Sequence, residues 1–388
     1  MKRALINLVK NNKVIYKMYF LFFGLFVKFI SLFIRPNKKT FLFLCYGGRK
    51  YSCNVKPIYE ALLNDDRFQG WSFVWAFRDP NLFSLPDTNR TKKCKVDSLS
   101  FYKYALSSKC WITNVSIQRG LNFKRKNNFY LCTWHGFPMK LIGKDSKLSF
   151  NTLRPEKIDL MISEGSIDNE ILSKAFDTKE VITTGYPRND QMFIDNGISN
   201  KIKKEYNIPK DKKIILYAPT YRDYEKDSNG GYSFESPIDF NEFYNRFGDR
   251  FVLMVRAHGA IENKSIQNSQ IIDVSNYPHV EHLLLCADIL ISDYSGIIFD
   301  YALLDKPIIC FWYDIDAYIT HRGLYKSVLE KVIFLKVYSC EELYSVLDCF
   351  CYEEEAKKSS LFVNNVGLLG KGSTDRVINE LAKRIIIN

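Results

Sequence analysis

Residues 287–313 read ADILISDYSGIIFDYALLDKPIICFWY. ADILIS is a short apolar run of strand length, which breaks at Asp293, Tyr294, Ser295 and Gly296. Apolar residues then recur at helical spacing over 297–304, Asp305, Lys306 and Pro307 stop that helix, and 308–312 is a second strand-like run. Strand, helix, strand is a βαβ unit, the building block of parallel sheets. The small polar residues at its first junction suit an anion, because free backbone N–H groups and the helix dipole point there. A plain helix cap by Asp293 or Ser295 accounts for them equally well.

Outward from this unit the same alternation continues in both directions. Before it, 214–218 and 251–255 are strand-like runs, and 280–286 has helical spacing. Residues 332–335 read as a further strand, followed by helices near 340–352 and 373–386. The N-terminal half shows strand-like runs at 40–46, 71–77, 110–113, 129–133, 159–163 and 181–184, with helical stretches between them. Residues 191–213 are polar and Lys-rich, which suits a connector. The chain of 388 residues is long enough for two domains, so the expectation is two doubly wound α/β domains.

Open α/β sheets bind ligands at the carboxyl ends of their strands. Trp134, His135, Gly136, Phe137 and Pro138 follow one such end, and Gly185 to Asp190 (GYPRND) follow another. His135 sits on a tight turn facing the expected cleft, where an ordinary pKa of about 6.5 suits a general base. A loop-capping His is the plainer alternative. In the second half Thr220 and Arg222, Arg256 and His258, and Asp293 and Ser295 recur at consecutive strand ends. Cations, a His and hydroxyls on one sheet edge suit a phosphorylated ligand better than scattered surface polarity does.

Formal net charge is +12, which favours an acidic partner such as nucleic acid, anionic lipid or a phosphate-rich substrate. The ten Cys include no C-x-x-C pair, so ordinary reduced thiols are expected and no protein metal site is evident. No acidic residue precedes Glu60, whereas Lys and Arg bracket a Phe-, Leu- and Ile-rich run at 14–34. At about 100° per residue Lys10, Lys13, Lys17, Gly24, Lys28, Ser31 and Arg35 share one sector. Phe22, Phe26, Phe29 and Phe33 lie opposite. That pattern fits a helix lying in the interface of an anionic membrane; a spanning anchor and a buried or partner-binding helix are the alternatives.

These motifs together resemble the CDP-glycerol glycerophosphotransferase family, the teichoic-acid and capsule polyol-phosphate transferases. The resemblance rests on the W-H-G-x-P segment at 134–138, GYPRND at 185–190, YAPTYR at 217–222, R-x-H at 256–258, DYSG at 293–296, FD at 299–300 and RGLY at 322–325. Phe137 stands where the family has a small Thr, Gly259 where it has Pro, and Gly296 where it has a second Ser. The resemblance implies a GT-B-like architecture, with a Rossmann-like acceptor domain over 37–195 and a Rossmann-like CDP-polyol donor domain over 205–388; the membrane-associated helix expected over 1–36 from its own residue pattern precedes them. It implies transfer of glycerol or ribitol phosphate to a hydroxyl of a polyprenyl-lipid-linked or polymeric acceptor, with release of CMP. His135 is then the base, and His258, Thr220, Arg222, Arg256, Asp293, Ser295 and Gly296 face the donor phosphates. Gly136, Arg188 and Arg322 belong to the acceptor side or cleft. A divalent cation is compatible with this chemistry, nucleic acid is not an expected partner, and the expected location is the cytoplasmic face of the bacterial membrane, peripherally bound. A nucleotide-sugar glycosyltransferase and a non-catalytic membrane-binding module are the competing readings.

Overall fold

The computed structural model describes residues 13–86, 89–147, 156–194, 196–220, 222, 224, 236–257 and 270–386. The N-terminal sheet has seven strands: β1 Asn37–Leu44, β2 Ser72–Phe77, β3 Thr91–Lys95, β4 Ser108–Thr113, β5 Phe129–Cys132, β6 Leu160–Ser163 and β7 Val181–Thr183. They run parallel in the order β3-β2-β1-β4-β5-β6-β7. The C-terminal sheet is formed by β8 Lys213–Ala218, β9 Phe251–Val255, β10 Ile272–Asp273, β11 Ile289–Ser292, β12 Ile308–Phe311 and β13 Leu335–Val337. Its order is β10-β9-β8-β11-β12-β13, again parallel. The opening stretch is therefore β11, the helix Ile297–Ala302 and β12, as its pattern implied.

Central strands such as β1 and β8 carry near-continuous apolar runs because helices cover both faces of a parallel sheet. Strand order reverses between β1 and β4 in one sheet and between β8 and β11 in the other. Such switch points leave a crevice at the carboxyl ends, where neighbouring loops turn in opposite directions.

Four expectations change. Strand β3 (TKKCK) carries only one buried side chain and has no apolar run to betray it. Residues 332–335 are not a strand: Val332 and Phe334 are buried in irregular chain, and pairing with β12 begins at Leu335. The helix expected over 340–352 is two helices, Cys340–Asp348 and Tyr352–Val366. Most consequentially, the last helix, Ser373–Ile385, leaves the C-terminal domain. Its Val377, Ile378, Leu381, Ala382 and Ile385 join the core that holds Phe41 and Trp75 of the N-terminal sheet and Tyr59 of the helix Val55–Asn64. A donor domain running unbroken to residue 388 is thereby corrected.

The N-terminal helix spans Lys13–Ser31. Gly24 and Val27 are buried, and Phe20, Phe23 and Ile30 pack against Leu42, Trp111 and Tyr102 of the N-terminal domain. A Cβ on Gly24 would lie 3.0 Å from the Leu121 carbonyl oxygen, so this part of the expected basic sector faces the protein body. Lys28 remains exposed, as do Phe22, Leu25, Phe26, Phe29, Leu32 and Phe33 on the outer side. Among the described residues no helix is long and apolar enough to cross a membrane.

Candidate active site

The two switch points face one cavity of about 740 Å³ between the domains. The loop after β1 supplies Tyr46, and the turn after β5 supplies Trp134, His135, Gly136 and Phe137. Across from them stand Thr220 after β8, Arg256 after β9, and Tyr294, Ser295 and Gly296 after β11. Parallel strands bring these loops to one edge, which is why residues far apart in the chain meet here.

His135 sits on a contorted turn: Trp134 has φ 52° and Gly136 has φ 152°, a region glycine tolerates far better than other residues. Nδ1 lies 2.9 Å from the Asn114 carbonyl oxygen, which only accepts, so Nδ1 carries the proton. The neutral ring therefore keeps its lone pair on Nε2. Burial, with the nearby Arg188 and Lys140 charges, holds the pKa down to about 4 despite the Asn114 bond. At neutral pH the imidazole is unprotonated, the state a general base requires.

Arg188 also lines the cavity, but its guanidinium is already engaged. Nη2 donates to both Asp300 carboxylate oxygens at 2.7 Å, and Asn189 donates to the same carboxylate at 2.8 Å. Asn189 also reaches Glu164 at 2.7 Å, a wholly buried carboxyl driven well above its ordinary pKa by burial and by the Asp300 charge. Asp300, of the FD motif, is the acidic partner of Arg188 across the domains. Asn54, fully buried, accepts from the Arg188 backbone N–H at 3.2 Å and donates to the Trp134 carbonyl at 3.3 Å. It thus ties the His135 turn to the GYPRND segment.

On the opposite wall the expected phosphate ligands divide into two groups. Thr220, Ser295, Gly296 and Arg256 line the cavity, and the Thr220 hydroxyl is buried with no hydrogen-bond partner among the described residues. Arg256 donates to the Val274 and Tyr277 carbonyls at 3.0 and 2.8 Å, leaving part of its fork toward the cleft. Arg222 and Asp293 do not line it. Asp293 accepts from Arg222 at 2.9 Å and from the Thr220 and Tyr294 N–H groups at 2.8 and 2.7 Å. Arg222 forks onto Asp314 through Nε and Nη2 at 2.7 and 2.9 Å, with the Tyr313 hydroxyl at 2.8 Å. This pair buttresses the Thr220 loop from behind. Arg322 lines the cavity and donates to the Leu141 carbonyl at 2.8 Å. His258 lies outside the described residues.

Sequence reasoning missed Asn54, Asp314 and Glu281. Glu281 lines the cavity at the first turn of Val280–Cys286, and burial raises its pKa. A lone Glu or Asn in a helix or loop carries no spacing signal. No group of metal-ligating side chains occurs among the described residues.

The profile of the CDP-Glycerol:Poly(glycerophosphate) glycerophosphotransferase family matches residues 26–382. A teichoic acid poly(glycerol phosphate) polymerase of Staphylococcus epidermidis is 32% identical over 90% of this chain, which spans about half (51%) of that protein. One from Bacillus spizizenii is 32% identical over 85% of this chain and 92% of its own length. The solved structure of the wall teichoic acid polymerase TagF superposes with a TM-score of 0.77 at 29% identity, over 99% of this chain and 97% of that one. A variant of the same polymerase was solved after a soak with CDPG. Fold, motif order and the family profile agree along the chain, which therefore belongs to the CDP-glycerol:poly(glycerophosphate) glycerophosphotransferase family.

Proposed function

We propose that this chain transfers glycerol phosphate from CDP-glycerol to a terminal hydroxyl of a lipid-linked or polymeric acceptor. The observation that carries this reading is the orientation of His135. His135, with its proton-free Nε2, and Thr220, whose hydroxyl has no hydrogen-bond partner among the described residues, belong to opposite domains yet line one cavity. The acceptor hydroxyl gives its proton to Nε2 as its oxygen attacks the glycerol-bearing phosphorus. The new O–P bond replaces the pyrophosphate bridge, and CMP leaves as a phosphate anion that needs no proton. Positioning and charge neutralisation dominate such a displacement. Arg256, Thr220, Ser295 and the Gly296 N–H contact the donor phosphates, and His258 joins them by its place in the motif. Arg222 and Asp293 act indirectly by fixing the Thr220 loop. Arg188 and Arg322 set the cleft.

The domains divide the work, with residues 37–195 taking the acceptor and the C-terminal sheet the donor. The enzyme works at the cytoplasmic face of the membrane, held there peripherally. The exposed Phe22, Phe26, Phe29 and Phe33, flanked by exposed Lys28, Arg35, Lys38 and Lys39, support this reading.

Incubating the purified protein with CDP-glycerol and a lipid-linked acceptor should release CMP, and His135→Ala should abolish the release. CDP-ribitol consumed in its place moves the reading to the other polyol. Turnover of a nucleotide sugar with neither CDP-polyol consumed would instead establish a glycosyltransferase.

A further inference from the structure

Phe137 and Gly296 are two of this chain's departures from the family pattern, and they touch one another. Phe137 borders the cavity beside His135 but offers it almost no surface. It is 3% exposed and stacks on Phe299 of the C-terminal domain, ring centroids 4.1 Å apart at 29°. Met139 joins the same apolar cluster, so the chain just beyond His135 is seated in the core of the opposite domain. Gly296 has φ −62°, a conformation open to any residue, so nothing in its backbone calls for glycine. Space does: a Cβ there would lie 2.6 Å from the Phe137 carbonyl oxygen and 3.3 Å from its nitrogen.

The following residues hold the strap in place. The Tyr325 N–H donates to the Met139 carbonyl at 3.0 Å, and the Leu141 N–H to the Gly323 carbonyl at 3.1 Å. Lys140 and Leu324 form an antiparallel bridge, and the Ile142 N–H reaches the Tyr325 hydroxyl at 3.3 Å. His135 thus lies between two anchors, the Asn114 carbonyl of its own domain and a strap built into the other.

We infer that Phe137 and Gly296 are one interlocked unit, a positioning latch that seats the His135 turn against the C-terminal domain. The atoms that a Cβ at 296 would meet are backbone atoms of Phe137, and the ring seated on Phe299 is what holds that backbone in place. A small residue at 137 frees the strap to draw back and make room for a side chain at 296, whereas Phe at 137 requires glycine there. The Phe137 side chain touches no substrate and acts through His135.

The inference rests on the transferase reading, and a double-mutant cycle of Phe137→Thr, Gly296→Ser and the combined variant separates the two. Each single variant should lower kcat about tenfold, Phe137→Thr with little change in donor KM. The combined variant should return to within about threefold of wild type. A positioning role also predicts that the acid limb of kcat moves upward in Phe137→Thr, as the loosened ring regains water, and moves back in the combined variant. Losses that simply multiply, with an unmoved acid limb, would overturn the latch. If the singles do not fold, Phe137→Leu and Gly296→Ala give the same cycle in thermal midpoints, where additive shifts are equally fatal. Should the wild type consume no CDP-polyol, the reaction reading falls while the thermal cycle still decides on the latch.

Discussion

Arg188 and Asp300 meet at 2.7 Å across the two domains, each with less than a tenth of its side chain exposed. Removing one member leaves the other charged and buried, a defect of about 3–5 kcal/mol. Arg188→Ala is expected to lower stability by that order in urea unfolding, because Asp300 then has only the Asn189 amide beside the Glu164 carboxyl and no opposite charge. Asp300→Asn, which retains hydrogen-bonding groups at the site, should cost less than Asp300→Ala.

Replacing His135 with Ala should reduce kcat by about 10²–10⁴-fold while donor affinity by calorimetry stays near wild type. The base is active when neutral, and its pKa is held down to about 4. Activity limited by this group should therefore stay level as pH falls from 8 to about 5, and drop only below that. The stability effect has a definite sign. Between about 6.5 and about 4 the unfolded chain takes up a proton that the folded ring refuses, so the fold weakens as pH falls through that window. His135→Ala should flatten that dependence.

Lysine cannot supply the fork with which Arg222 meets Asp314 while also reaching Asp293. Arg222→Lys should therefore destabilise the protein by about 3 kcal/mol in denaturant titration. An unchanged unfolding curve with a raised donor KM would make Arg222 a direct phosphate contact instead.

Burial and the Asp300 charge keep Glu164 protonated far above its ordinary range. A raised folded pKa means stability is lost as pH rises above the unfolded value of about 4.5. Glu164→Gln is expected to match wild type near pH 5 and to hold its thermal midpoint better at pH 8. A parallel decline in both proteins would show that Glu164 ionises without penalty.

The inner face of Lys13–Ser31 covers the N-terminal sheet, so deleting the helix would uncover Val27's packing site as well as remove any membrane contact. Serine at Phe22, Phe26 and Phe29 is the cleaner change, since all three are at least half exposed. The triple variant should keep its melting temperature and lose sedimentation with vesicles containing anionic lipid. Retained sedimentation would place the membrane contact elsewhere.

Much of the fold was legible because its strands are buried on both sides and read as unbroken apolar runs, as in 214–218 and 308–311. The edge strand β3 was not, since lysines point away from the core on both sides of Cys94. Among the candidate site residues, that His135, Thr220, Arg256 and Ser295 would come to one cavity was legible because short motifs mark strand ends. Their partners were harder to see. Asp293 and Arg222 looked like ligands because sequence does not show that two opposite charges 71 residues apart cancel one another. The place of Phe137 was not legible at all, because its burial against Phe299 depends on the opposite domain.

The helix Ser373–Ile385 supplies five side chains to a core whose strands were made some three hundred residues earlier. Domains ordinarily fold as units, in the order they leave the ribosome. Here the first domain must wait for the last. Until Ile385 has emerged, the helix Val55–Asn64, which carries Tyr59, lacks the partner that packs against it, so the nascent chain passes through a long stage in which the acceptor half is only partly built. A truncation that spares every residue of the cleft, but ends before Ser373, would leave this protein in that unfinished state.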